Sequence, residues 1–282
     1  MNKFRGKNQS FQFSEDVAIN FECNGTGSRT LLCLHGFGAS LESWRDIQPL
    51  LSRNCRIYLL DLKGFGYSSK PRDGRYSAED QAQIVTSFIE RYDLSNITIV
   101  GHSFGGAVAL LTSFMLRDKG LANRLESLLL IDSAGYVQKL PFFVLIPRLP
   151  LLNKFVLGTL PARWQASFTL KHLFYDSSQV TEERIHRYAR FLSLPGSHQA
   201  LIASARQIVP SGPDEMISRI LQIRLATLII WGENDPAIPL EHARRFHRDI
   251  MGSRLEIIPK CGHVPHEERP VETSRMILDF CK

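Results

Sequence analysis

Short, largely apolar runs recur along the chain, and each one stops at a turn signal: residues 30–34 (TLLCL), 56–60 (RIYLL), 97–100 (ITIV), 128–131 (LLLI), 227–231 (TLIIW) and 255–258 (LEII). Runs that are apolar at successive positions, rather than at every second one, predict strands buried on both faces, as in a parallel sheet covered by helices on each side. Between them the period changes to that of a helix. Behind Ser77, a candidate N-cap, Val85, Phe88, Ile89 and Tyr92 fall at i, i+3, i+4, i+7 and predict a helix with one face on the sheet. The stretch AVALLTSFML after Ser103 is apolar nearly all round, which predicts a helix at the centre of the domain. Residues 270–280 predict a closing helix, with proline in its first turn and Met276, Ile277 and Phe280 turned inward. The segment FQFSEDVAINFEC near the N-terminus reads as an antiparallel hairpin on the sheet edge. Strand and helix alternating in this way predict an α/β fold with a mostly parallel central sheet, helices on both faces and right-handed crossovers.

One region breaks the alternation. Residues 135–221 hold no strand-like run, and Leu, Phe, Arg and Pro mix there in helical patterns such as VTEERIHRYARFLSL. Residues 1–134 and 222–282 are therefore expected to form the core and 135–221 an inserted helical cap over the C-terminal ends of the strands, where open α/β sheets place their sites.

The candidate chemistry lies at those strand ends. Gly101-His102-Ser103-Phe104-Gly105-Gly106 follows the run ITIV and precedes the buried helix. A sharp strand-to-helix turn leaves no room for side chains beside the serine, so glycines flank it and the hydroxyl projects above the sheet; this is the context of a nucleophile elbow. A serine hydroxyl needs a base to take its proton, and the base needs an acid to orient it. The loops after the last two runs supply both: GENDP carries Asp235, the expected acid, and PKCGHVPH carries His263, the expected base. Asp132 is the alternative acid, with Glu233 a weaker one, and His266 is the rival base. The chain order Ser, Asp, His is that of α/β hydrolases. The loop His35-Gly36-Phe37-Gly38 after the first run is expected to contribute the Phe37 N–H to an oxyanion hole, with the Phe104 N–H as the second donor. His35 is expected to hold that loop. Substrate contacts are expected from Gly36, Gly38, His102, Phe142, Phe143 and Val264. No metal is expected, because His263 and His266 lack further ligands at suitable spacing, and no cofactor is called for.

Composition changes this picture little. The 282 residues, 44% hydrophobic and 22% charged, can bury a large core. The net charge of +6 comes from scattered Lys and Arg and is read as solvated surface, without the basic, aromatic-interleaved stripe of a nucleic-acid binder. Five cysteines without a C-x-x-C pair suggest reduced thiols and a cytoplasmic protein. No run reaches the length of a transmembrane helix, and the most lipophilic one, residues 141–152, is broken by prolines and Arg148. A monomer or homodimer is expected.

Together LHGFGAS, DLKGFGYSSKP, GHSFGG, IDSAG, WGENDPAIP and CGHVPHEERP resemble the α/β-hydrolase superfamily, in its capped serine-nucleophile branch of carboxylesterases and carbon–carbon bond hydrolases. The resemblance implies that Asp61 and Gly64 to Ser68 are scaffold. Gly38-Ala39-Ser40 departs from the G-P-G-A run usual in hydrolases of ring-cleavage products. The expected activity is hydrolysis of a small carboxylic ester with an apolar acyl or aromatic group, through an acyl-enzyme on Ser103. Half or so of the cap residues Phe142, Phe143, Leu145, Ile146, Leu149, Phe155, Leu157, Trp164, Phe168 and Leu173 are expected to line its pocket and the rest to form the cap's own core. The alternatives are carbon–carbon hydrolysis of a diketo acid held by Arg187 and Arg190, and slow-turnover ligand binding or signalling on the same fold. Acyl transfer to an acceptor other than water also stays open.

Overall fold

A computed structural model describes residues 8–210 and 212–282. Its eight strands, β1 (Gln9–Ser14), β2 (Val17–Asn24), β3 (Arg29–Leu34), β4 (Cys55–Leu60), β5 (Ile97–His102), β6 (Leu125–Ile131), β7 (Ala226–Gly232) and β8 (Arg254–Ile258), form one sheet in the order β1-β2-β4-β3-β5-β6-β7-β8. The hairpin β1–β2 joins antiparallel at the β4 edge, and every pair from β4 to β8 is parallel. The six apolar runs are the six parallel strands. Strand β5 continues past its run to His102, because His102 still pairs with Ile131.

The reason the central runs carry apolar residues at successive positions is visible in the packing. Leu32, Leu34, Ile99, Leu128, Leu130, Ile229 and Trp231 point to one face, and Leu31, Cys33, Val100, Leu129, Ile131, Leu228 and Ile230 to the other. Helices α2 (Ala78–Arg91), α3 (Phe104–Asp118) and α10 (Leu240–Asp249) cover the first face. The second is covered by α1 (Gln48–Leu51) and α12 (Pro270–Phe280), which buries Ile277 fully and Met276 and Phe280 in part. Helix α2 starts where expected: the Ser77 side chain accepts from Asp80 N while the Asp80 carboxylate accepts from Ser77 N, a capping box.

Between β6 and β7 the chain is helical, with α4 (Phe142–Arg148), α5 (Pro150–Thr159), α6 (Ala162–Leu173), α7 (Glu182–Leu192), α8 (Ser197–Arg206) and α9 (Pro213–Ile220). The short α11 (Pro265–Glu268) follows β8. A small core of Ala166, Leu170, Phe174, Val180, Ile185 and Ala189 holds part of this helical segment together and takes in Val264 from the β8 loop. Arg184 ties the segment to the sheet domain: it pairs with Asp46 and donates to Glu267 O at 3.2 Å. Among the described residues no single helix is long and apolar enough to cross a membrane.

Candidate active site

The turn between β5 and α3 is as tight as its glycines suggest. A Cβ on Gly101 would sit 2.4 Å from Gly105 O, and one on Gly105 would sit 2.3 Å from Leu34 O, so any other residue forces the backbone apart. Ser103 has φ 52°, which L residues seldom adopt. Its strained turn is held by hydrogen bonds from Ser103 N to Ile131 O (3.0 Å) and from Ala134 N to Ser103 O (3.0 Å). Gly36 packs directly behind the serine, where a Cβ would meet Ser103 Cβ at 3.2 Å.

The loops after β7 and β8 meet at the same rim. His263 Nδ1 lies 2.8 Å from Asp235 Oδ2, and both side chains are withdrawn from solvent. Asp235 is oriented by its own loop, since Oδ1 accepts from Ala237 N at 2.7 Å and from Ile238 N at 3.1 Å. His263 is fixed through its backbone: its N–H donates to Leu173 O at the end of α6 (2.8 Å), and its carbonyl accepts from His102 Nε2 (2.8 Å). Among the described contacts Ser103 Oγ makes no hydrogen bond to His263. Both side chains border one cavity, and such bonds commonly tighten only when substrate binds.

The remaining ionisable groups separate clearly. Asp132, at φ 41° beyond β6, is fully buried and accepts from Gly232 N at 3.0 Å. Burial first, and the adjacent Asp235 second, hold its carboxyl well above the ordinary carboxylate range. Donor atoms of Asp132, Asp235 and His263 lie within 4.8 Å of one another. Glu233 is exposed. His266 is fully buried between Trp44 and His102, with ring centroids 4.5 Å from each, and burial lowers its pKa to about 3. It borders neither cavity described below. His35 accepts from Leu62 N at 3.0 Å through Nε2 and donates through Nδ1 to Gly36 O at 2.8 Å, which pins the loop carrying Phe37. Asp61 is equally a scaffold group, accepting from Leu41 N (2.7 Å), Tyr67 N (2.8 Å) and Asn20 Nδ2 (2.7 Å).

Ser103 faces two cavities. The larger, about 270 Å³, is also bordered by Gly36, Phe37, Gly38, His102, His263 and Val264, and is walled by Phe142 and Phe143 of α4. The smaller, about 80 Å³, lies on the α3 side and shares Phe37, Ser103 and Phe143 with the first. It is bordered by Phe104 and the loop at Gly135–Val137. Sequence reasoning missed this second cavity, because its walls come from loops without a periodic signal. It also missed Glu268, whose carboxylate accepts from Gly262 N (2.9 Å), Tyr175 N (3.1 Å) and Asp176 N (3.2 Å) and so fastens the His263 loop to the helical segment.

Two expectations need correction. Arg187 and Arg190 do not reach either cavity: Arg187 is bound to Asp46 at 3.2 Å, and Arg190 pairs with Glu42 at 3.1 Å and lies over the Phe191 ring. Their helix α7 turns that face toward carboxylates of the sheet domain. Of the ten apolar residues from Phe142 to Leu173, Leu145, Leu149 and Phe155 neither line a cavity nor enter a core but stand in solvent, 42%, 50% and 63% exposed. The other seven border the larger cavity.

Known proteins resemble this chain over most of its length. A family model described as "Alpha/beta hydrolase family" matches residues 31–275. The chain is 31% identical over 261 residues to "Uncharacterized hydrolase YugF" of Bacillus subtilis (strain 168), covering 91% of each. It is 29% identical over 276 residues to a "2-hydroxy-6-oxononadienedioate/2-hydroxy-6-oxononatrienedioate hydrolase 1" of Pseudomonas putida, covering 94% of this chain and 92% of that one. Among solved structures, a thermophilic esterase from Thermogutta terrifontis superposes with a TM-score of 0.78 at 24% identity, covering 98% of each chain.

Proposed function

Because the chain belongs to the alpha/beta hydrolase family, we propose that it is a serine hydrolase that cleaves a carboxylic ester with uncharged, apolar groups. The observation that carries this reading is a strained serine at a glycine-walled elbow, opening on an apolar cavity also bordered by an imidazole whose far nitrogen is held by a buried carboxylate. In this reading Ser103 Oγ adds to the ester carbonyl as its proton passes to His263 Nε2. Asp235 keeps the His263 proton on Nδ1 and stabilises the imidazolium. The oxyanion is received by the N–H groups of Phe37 and Phe104, beside the N-terminus of α3. Collapse breaks the carbon–oxygen bond, and His263 returns the proton to the departing alcohol. Water then repeats the sequence on the acyl-enzyme, releasing the acid and the free serine. The helices of 135–221 act as the cap that shapes the cavity.

The lining favours ester over diketo-acid cleavage. A dienedioate carries two carboxylates, whereas neither cavity is bordered by Lys or Arg among the described residues, and Arg187 and Arg190 are already neutralised. A buried carboxylate without a cation is costly. Carbon–carbon hydrolysis stays as the second reading on the likeness to the Pseudomonas putida relative. A fluorophosphonate probe should label the wild type on Ser103, and Ser103→Ala should abolish both labelling and p-nitrophenyl butyrate turnover. A wild type that turns over no p-nitrophenyl ester from acetate to decanoate, yet bleaches the absorbance of a ring-fission product, replaces the ester reading with the second one.

A further inference from the structure

The helices between β6 and β7 leave much apolar surface uncovered on their outer side. Leu151 is 87% exposed, Trp164 70%, Phe168 66% and Phe155 63%, with Leu149 and Leu152 beside them. Isolated exposed apolar residues are ordinary, but a run of them over the consecutive helices α4, α5 and α6 marks a contact surface. Trp164 and Phe168 also border the larger cavity, so the uncovered surface reaches the mouth of the site.

Charge indicates what covers it. Residues 133–175 contain no Asp or Glu but include Lys139, Arg148, Lys154, Arg163 and Lys171. Among the described side chains of this set Arg163 is paired, with Glu182, while Arg148 meets a carbonyl, Ala205 O at 3.3 Å. Apolar side chains with flanking cations and no acid are the pattern of helices that lie in the interface of an anionic bilayer. A second copy of this chain would bring the same positive charge and be repelled. Spanning is not an option, since α4 and α5 have 7 and 10 residues and are bent by 99° at the break between them, at Leu149.

We propose that the outer face of α4–α6 docks on anionic lipid bilayers and that substrate enters the larger cavity from the lipid surface. The second half of this statement rests on the ester-hydrolase reading; the docking does not.

Vesicle co-sedimentation tests it. The full chain should pellet with phosphatidylcholine vesicles containing phosphatidylglycerol, and much less with phosphatidylcholine alone or at high salt. Lys171→Gln should weaken binding about fivefold. Trp44 and Trp231 are 1% and 0% exposed, so a blue shift of tryptophan emission on adding vesicles reports Trp164. The double variant Leu151→Ser/Phe155→Ser, whose residues line neither cavity, should lose vesicle binding and keep turnover of soluble p-nitrophenyl butyrate. Ser103→Ala should still bind vesicles, which separates a failure of docking from a failure of the catalytic assignment. No pelleting with anionic vesicles, or a wild-type dimer that the double variant dissociates, overturns the proposal.

Discussion

Replacing Asp235 by asparagine tests the catalytic assignment at its most specific point. Two backbone donors, Ala237 N and Ile238 N, point at Asp235 Oδ1, and Oδ2 faces His263 Nδ1. In the variant the amide oxygen must take the Oδ1 place, because an NH2 there would face two backbone N–H donors with no acceptor between them. The NH2 is then aimed at His263 Nδ1, which has to accept. The ring proton moves to Nε2, and the nitrogen left for Ser103 can no longer take a proton. Forcing this tautomer in a Ser-His-Asp triad costs about 10⁴ in kcat, or about 5 kcal/mol of barrier. Stability should change little, since size and contacts are kept. The assay is kcat for p-nitrophenyl butyrate, with the thermal midpoint measured on the same sample. Asp132→Asn is the control. Burial and the neighbouring acid push the Asp132 carboxyl well above the ordinary carboxylate range and so favour its neutral form, of which asparagine is an isostere that can accept from Gly232 N as before. Activity within about tenfold of wild type is expected there, a barrier change under about 1.4 kcal/mol. The opposite pattern, with Asp132→Asn collapsing and Asp235→Asn nearly unchanged, would refute the reasoning and move the acid to β6.

Two further outcomes follow from the framework around the site. Arg184→Met should destabilise the protein by about 1–3 kcal/mol, because it leaves the Glu267 carboxyl, with 0% of its side chain exposed and its pKa pushed by burial up to about 7, without the guanidinium now 3.2 Å away; thermal melts should show the loss, and adding Glu267→Leu should restore much of it. Acid should weaken the fold through His35, whose pKa burial lowers from 6.5 to about 4: the unfolded chain binds the extra proton, so stability present above pH 6.5 falls as pH drops toward 4, by about 3 kcal/mol from this group. Urea midpoints between pH 7 and 4 should decline less steeply in His35→Gln, and an unchanged slope would show that His35 does not govern the acid limb.

What could be read from the chain alone was local or periodic. Largely apolar runs announced strands covered on both faces, a capping residue placed the start of α2, and the spacing of glycines about Ser103 announced a turn too tight for a Cβ. Both loops with the candidate acid and base were legible too, as polar sequence just beyond a strand end. Which residue of each loop faces Ser103 was decided by the tertiary structure. His263 and His266 are three positions apart in similar sequence; a bond from His263 N to Leu173 O sets one ring at the cavity, while Trp44 stacks over the other. Asp235 and Asp132 both follow strands, and they differ because one meets an imidazole while the other is shut away beside it. Arg187 and Arg190 looked free to bind a carboxylate until packing brought Asp46 and Glu42 to them. The outer face of α4–α6 was illegible for a different reason: large apolar residues occur around these helices among the cations without one clear inward stripe, so only their placement over the sheet determines which side chains wall a cavity and which remain in solvent.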